Sequence, residues 1–530
     1  MKYADKIFFN GRIHTMDKDY RVVEALAIKE DSILKVGSSG EILKLKGDRT
    51  NVYDLKGKAI IPGIIDTHAH IFWAGVSELY EKLFVPRSIE ELLSYVDKKA
   101  REIPKGEWIH LKNIYPTRLK EYRYPTIEEL DRVSPNHPVF IDGAYAGRVN
   151  SYALKHIGLE REASIGKIID KVRKSIVSRK FDLKDHKEGI KNIQRKYNAF
   201  GITSIIDGSS SDIGIKAINE LYYEDQLDIR LSFTHVTENK ENTVENIKRL
   251  ESFIKIPKKW GRLDFLKITL DGGILTGTSY MRNPYIDNID IFEIDEGFKG
   301  LINYDTVSIE KFIDIAYKKG YQMTAHCIGD GALDILLKSY SNYQQTNDIR
   351  GRRFSIIHGD FTDDSALIAI KKLGLSLLFQ PAWHFKDAYI LKKVLDEETF
   401  QNFLPYKKYI DFNIAAAAGS DHMVKYDSLL SQNPYNPFWG MYNMITAKTM
   451  DGHIIGEEYS VDRDEALKFY TSKASYVTFD EDVKGSLEAG KLADFSVLSK
   501  DYFTCPLEEI PNITSVHTIV GGRTVYSSCN

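Results

Sequence analysis

Eight short apolar runs, separated mostly by helical patterns, constrain the fold of this chain more than any other feature. They occupy residues 63–70, 201–207, 229–236, 265–271, 322–327, 354–359, 374–380 and 413–421. Helical patterns such as 332–340 and 363–373 lie between them. Strands that alternate with helices build parallel sheets, and eight of them predict a (β/α)8 TIM-type barrel. A doubly wound open sheet is the competing α/β architecture. It too would place a site at the C-terminal ends of its strands.

At 530 residues the chain exceeds one ordinary domain. Its first 60 residues read as short strands. Asn10-Gly11 between two apolar runs is a hairpin signal, and 25–28 with 33–37 make a second strand pair. The far end is similar: 493–498, 516–520 and 523–526 read as strands, the last two joined by Gly521-Gly522. We therefore expect one β-sandwich domain from residues 1–60 plus 485–530, and the barrel from 61–71 plus 199–484. The gap between the first two barrel strands is too long for one crossover, so 72–198 is read as an inserted subdomain. It includes a strand-like run at 138–141 and a charged, helical stretch at 164–198. Because it starts just past the first strand, it is expected to hang over the barrel mouth and cover the pocket.

The chemistry sits at strand ends. Side chains alternate along a strand, so His68 and His70 project the same way. Two neutral imidazoles side by side suit a zinc-like ion. His-x-His alone is weak evidence, since two histidines on a polar edge are common. Three later strand ends change that. His326, His358 and Asp421 each stand where an apolar strand gives way to a loop. In a barrel such residues converge at the C-terminal mouth. A lone core histidine is usually structural, but four histidines and one aspartate at equivalent points are not explained that way.

Composition excludes other classes. With 72 basic and 75 acidic residues the net charge is −3, which favours neither nucleic acid nor a membrane surface. Cys327, Cys505 and Cys529 cannot make a disulfide framework, which suits a reducing compartment. No long apolar stretch or signal peptide is visible, so a cytoplasmic location is expected.

Taken in order, residues 62–70 (PGIIDTHAH), 325–334 (AHCIGDGALD), 356–360 (IIHGD), 419–421 (GSD) and 485–498 (GSLEAGKLADFSVL) resemble the amidohydrolase superfamily. More narrowly they resemble its YtcJ-like branch, which includes N-substituted formamide deformylases. Segments 124–131 (YPTIEELD) and 149–154 (VNSYAL) of the insert fit that branch too. The resemblance spans nearly the whole chain. It implies the barrel-plus-sandwich fold and one further ligand, Lys267, carbamylated and bridging two metals. A protonated lysine could not ligate and would repel cations, whereas its neutral amine can trap CO2 as an anion. The bland alternative is a lysine paired with Asp271.

The implied site is binuclear, with up to two divalent ions, zinc the first choice. His68 and His70 would hold one, His326 and His358 the other, and Lys267 would bridge. Asp421 would bind a metal or the attacking water, take its proton and pass it to the leaving amine. The reaction would be hydrolysis of an amide or formamide-like C–N bond in a small-molecule substrate, with a homodimer as the protein partner considered. The branch's histidine before the Val-Asn-Ser segment is missing, which leaves Tyr145 or Arg148 as substitutes for contacting substrate. His384, just past the seventh strand, is a second substrate-binding candidate. His422, next to Asp421, alternates to the other face. A mononuclear deaminase is the enzymatic alternative, but it would carry a glutamate soon after His326, where Cys327-Ile328-Gly329-Asp330 stands. A non-catalytic regulatory protein retaining the fold is the other.

Overall fold

The computed structural model describes residues 3–160, 171–176, 179–237, 241–286 and 291–528. Cys529 and part of the helical stretch expected over 164–198 lie outside the described residues; within that stretch Leu183–Asn198 is helical.

Eight parallel strands form one sheet in sequence order. They are β1 (Ile64–Ala69), β2 (Ile202–Asp207), β3 (Arg230–Val236), β4 (Gly261–Thr269), β5 (Gln322–Cys327), β6 (Ser355–His358), β7 (Ser376–Phe379) and β8 (Ala415–Ala418). The sheet curls until its ends meet. Past β8, the Asp421 amide donates to the His68 carbonyl at 2.6 Å, and the His70 amide to the His422 carbonyl at 2.8 Å. The seam is stapled by the buried Asp66 carboxylate, which accepts from the Ser420 hydroxyl (2.6 Å), the Ser420 amide (2.9 Å) and the His68 amide (3.1 Å). The barrel is filled, not hollow. Ile65, Ile206, Phe265, Ile357, Leu378 and Ala417 meet inside, with Ala474 and Val477 of the helix Ser472–Val477 packed against them.

The two chain ends share a sheet. Arg12–His14, Val22–Val23 and Ala59–Pro62 lie in one six-stranded sheet with Phe495–Leu498, Ser515–Val520 and Arg523–Ser527. A four-stranded sheet faces it, and Phe8, Leu26, Ile28, Ile60, Phe495 and Ile519 pack between them. Asn10-Gly11 is not the hairpin that its composition suggests. The strand before it pairs in the four-stranded sheet, the strand after it in the six-stranded one. The turn carries the chain from one layer to the other, and Leu55 packs where a Cβ on Gly11 would sit. By contrast Gly521 and Gly522, at φ 56° and 71°, do join an antiparallel pair. Arg230 of β3 ties barrel to sandwich through a buried two-pronged bond to Asp494 (2.6 and 2.9 Å).

The inserted segment carries its own three-stranded sheet of Ile109–Lys112, Val139–Asp142 and Gly147–Val149. Its two distinctive sequence segments are folding devices. Thr126 and Glu129 cap the helix Ile127–Val133 reciprocally. Asn150 caps the helix Ser151–Ile157 and also bonds Val139, Ser134 and His137. Part of the segment reaches the C-terminal mouth of the barrel, where Tyr145 meets His326 and Arg118 meets Asp387. Its last helix, Leu183–Asn198, instead packs into the barrel's own core through Ile190, Ile193 and Tyr197. No helix among the described residues is long and apolar enough to cross a membrane.

Candidate metal centre

Simple alternation would not deliver all these ligands to the mouth. Ile65 points into the barrel, so parity alone would turn His68 outward. Between Asp66 and Ala69, however, β1 advances three residues while β2 advances two. The extra residue is a bulge, and it reverses the parity. His358 follows the inward Ile357, yet a φ of 76° at His358 swings it back into the site. Asp421 also takes a left-handed φ, 51°. Such conformations cost energy in non-glycine residues and persist where the surroundings fix them.

His68, His70 and Asp421 offer ligand atoms that all lie within 4.8 Å of one another, and all three are buried. Both Nε2 atoms stand 3.4 Å from Asp421 Oδ1. Asp421 Oδ2 is held by Asn433, whose Nδ2 donates to it and to the Asp421 carbonyl, both at 3.2 Å. Lys267 Nζ lies 3.4 Å from His68 Nε2. It does not pair with Asp271, which accepts instead from the amides of Ile328 (3.0 Å), Gly329 (2.9 Å) and Tyr280 (3.1 Å).

The other two histidines give the clearest test of whether a cation fits. His326 Nε2 donates to the Gly272 carbonyl at 2.9 Å. His358 Nδ1 donates to Gln380 Oε1 at 2.6 Å, and the Gln380 amide in turn donates to the Leu378 carbonyl. These bonds fix both tautomers and leave lone pairs on His326 Nδ1 and His358 Nε2. The two nitrogens face each other at 3.0 Å. Lone pairs at that distance repel unless a cation shares them, so the donor set fits a divalent metal.

Electrostatics agree. Burial, then the neighbouring Lys267, push His68 well below its ordinary value, and burial brings His358 to about 4. Both are neutral at physiological pH, as ligands must be. Burial pulls Lys267 down to about 8, against the opposing pull of Asp421 and Asp207. Burial alone would raise Asp421, but its hydrogen bond with His70 and the fields of His358, His70 and Lys267 outweigh it. The carboxyl stays below its usual range.

The remaining candidates divide. Tyr145 reaches the mouth, its ring 5.6 Å from that of His326. Arg148 does not; it pairs with Glu293 and lies over Tyr124. His384 is not in the site. It is buried, bonded to Asn443 at 2.9 Å and stacked on Phe403. Trp383, one position earlier, faces His358 instead, because each helical residue turns the chain by roughly 100°. His422 supports the turn after Asp421: Nδ1 accepts from Tyr197, and Nε2 donates to the Lys425 carbonyl at 2.7 Å. Gln380, Asn433, Trp73 and Gly208 escaped sequence reasoning. Trp73 stacks on His70 at 4.6 Å, and only its place three residues after His70 hinted at that.

Gly208 is informative because a Cβ there would lie 2.5 Å from His68 Cε1 and 2.7 Å from His70 Cε1. Gly208→Ala should therefore displace both imidazoles and weaken metal binding by about 10- to 100-fold, the scale seen when ligand orientation is lost. Competition with a chromogenic chelator measures this. Wild-type affinity in that variant would show the contact to be harmless.

The amidohydrolase family model matches residues 51–526. An N-substituted formamide deformylase of Arthrobacter pascens is 24% identical, with 98% of each chain covered. A putative amidohydrolase, YtcJ, of Bacillus subtilis is also 24% identical, over 98% of this chain and 99% of that one. Among solved structures, an uncharacterized metal-dependent hydrolase of Pyrococcus furiosus superposes with a TM-score of 0.69 at 24% identity, over 94% of this chain and 100% of that one. One of Pyrococcus horikoshii OT3 gives 0.71 at 22% identity, over 95% and 99%.

Proposed function

This chain belongs to the amidohydrolase family, and from that premise we propose that it is a metal-dependent hydrolase of an amide or formamide-like C–N bond in a small molecule. The observation that carries the reading is the buried gathering of His68, His70 and Asp421 at the barrel mouth, beside the facing lone pairs of His326 and His358. His68, His70 and Asp421 would hold one divalent ion, with zinc the first choice, and His326 and His358 a second. When bound, such ions polarise the scissile carbonyl and make water nucleophilic near neutral pH.

The protein's own groups supply the rest. Asn433 engages Asp421 Oδ2, which leaves Oδ1 turned toward His68 and His70. Oδ1 is thus placed to accept a proton from the attacking water and return it to the leaving nitrogen. Gly272 and Gln380 keep His326 and His358 in the tautomers that present lone pairs. Lys267 is buried and its proton is loosely held. Its neutral amine would bond to the carbon of CO2 and release a proton, giving a carbamate. That anion would add the negative charge that the His326–His358 pair lacks. Tyr145 and Trp73 flank the mouth and would contact substrate.

The test is a panel of N-acyl and N-formyl compounds with their matched esters, run on protein of measured metal content. Release of amine from panel members is the expected result. Turnover of the esters alone would overturn the C–N assignment while leaving a hydrolase.

A further inference from the structure

We propose that Arg118, from the inserted segment, is a positioning residue for Asp421 and acts on it through residues 431–433. Arg118 Nε and Nη2 grip the fully buried Asp387 at 2.8 and 2.7 Å, and Nη1 donates to the Gln432 carbonyl. Lys386 Nζ donates to the Ser431 and Gln432 carbonyls at 2.7 and 3.2 Å. The Gln432 side chain reaches back to the insert and donates to the Tyr115 hydroxyl at 2.6 Å. The Ser431 hydroxyl holds the Asn433 carbonyl at 2.7 Å. One residue further, Asn433 donates both to the backbone and to Oδ2 of Asp421.

The chain of bonds thus runs from the insert to one oxygen of the carboxylate. Asp421 needs such support. It follows the last strand, sits at a left-handed φ, and its Oδ1 must face His68 and His70. An insert attached by loops alone would leave this loop free to shift. Arg118, itself anchored on Asp387 by a planar, two-pronged grip that lysine cannot reproduce, holds the loop through its Nη1 bond to the Gln432 carbonyl.

The proposal rests on the reading of Asp421 as a proton carrier, and the test separates the two. Amide hydrogen exchange over residues 421–433 should quicken in Arg118→Gln. Its kcat should fall on the order of 10-fold with KM little changed. In an Asn433→Ala background Arg118→Gln should add no further loss, because the pathway is already cut. Arg118→Lys should not restore kcat. Should Arg118→Gln not fold, Arg118→Met with Asp387→Leu removes both buried charges and carries the same expectations. Unchanged exchange over 421–433, or losses that add in full with Asn433→Ala, would overturn the latch. Quickened exchange with normal kcat in both Arg118→Gln and Asp421→Asn would overturn instead the role of Asp421, and with it the catalytic meaning of the latch.

Discussion

Asp421→Asn is expected to slow hydrolysis on the order of 10²-fold or more while bound metal is largely retained, the scale on which general bases contribute. Asparagine keeps the size of the side chain, and its amide oxygen, turned toward His68 and His70, can still ligate although it is no longer basic. It cannot accept a proton at the atom facing His68 and His70. The loss should fall on kcat more than on KM, because the proton is needed only as water attacks. Rates near wild type across the pH range would show that another group takes the proton. The wild-type carboxyl is held below its usual range, so Asp421 should remain ionised through mild acid and its loss of function should appear only as pH falls below that range.

Chelation should abolish hydrolysis, and Lys267→Ala should reproduce much of that loss without a chelator. Lys267 is 5% exposed. An ammonium there beside divalent cations would be strongly unfavourable, whereas a carbamate is offset by them. Removing it should lower metal content and activity together, on the order of 10²-fold in rate. Lys267→Arg should not rescue, since a guanidinium keeps its charge and does not take up CO2. Acetate added to Lys267→Ala should restore part of both. Full activity in metal-free protein would sink the metal reading. A bare ammonium in density from a metal-loaded crystal grown with bicarbonate would remove the carbamate alone.

Much of this was legible in the sequence because its signals are local. Apolar runs of strand length mark the barrel strands wherever they pack, and each of the eight expected runs overlaps one, although the fourth strand, Gly261–Thr269, begins four residues before its run. Residues at the ends of such runs are carried to one rim by topology alone, so His68, His70, His326, His358 and Asp421 stood out without coordinates. Segments 124–131 and 149–154 stood out only by family resemblance, and the structure supplied their helix-capping role. Failures arose where a local rule met a non-local demand. Asn-Gly specifies a turn, but whether its flanks pair depends on which sheet offers the better partner, and at Asn10-Gly11 they join different layers. His384 follows a strand end, yet one position of helical rotation sends it into the core and gives its place to Trp383.

By itself, then, the sequence determined the eight strands alternating mostly with helices, the strands at both chain ends and the ligand-type residues, while closed barrel and open sheet both remained compatible with it. These follow from hydrophobic period and from where apolar runs stop. The tertiary structure alone decided how those residues face one another. Closing a sheet on itself imposes a register that no strand carries internally. That register is met by the bulge after Asp66 and by the left-handed turns at His358 and Asp421. The partners that then orient the ligands, Gln380, Gly272 and Asn433, are brought in by loops whose course depends on what they pack against. Arg118 lies 303 positions before Asp421 and is joined to it only through the folded mouth.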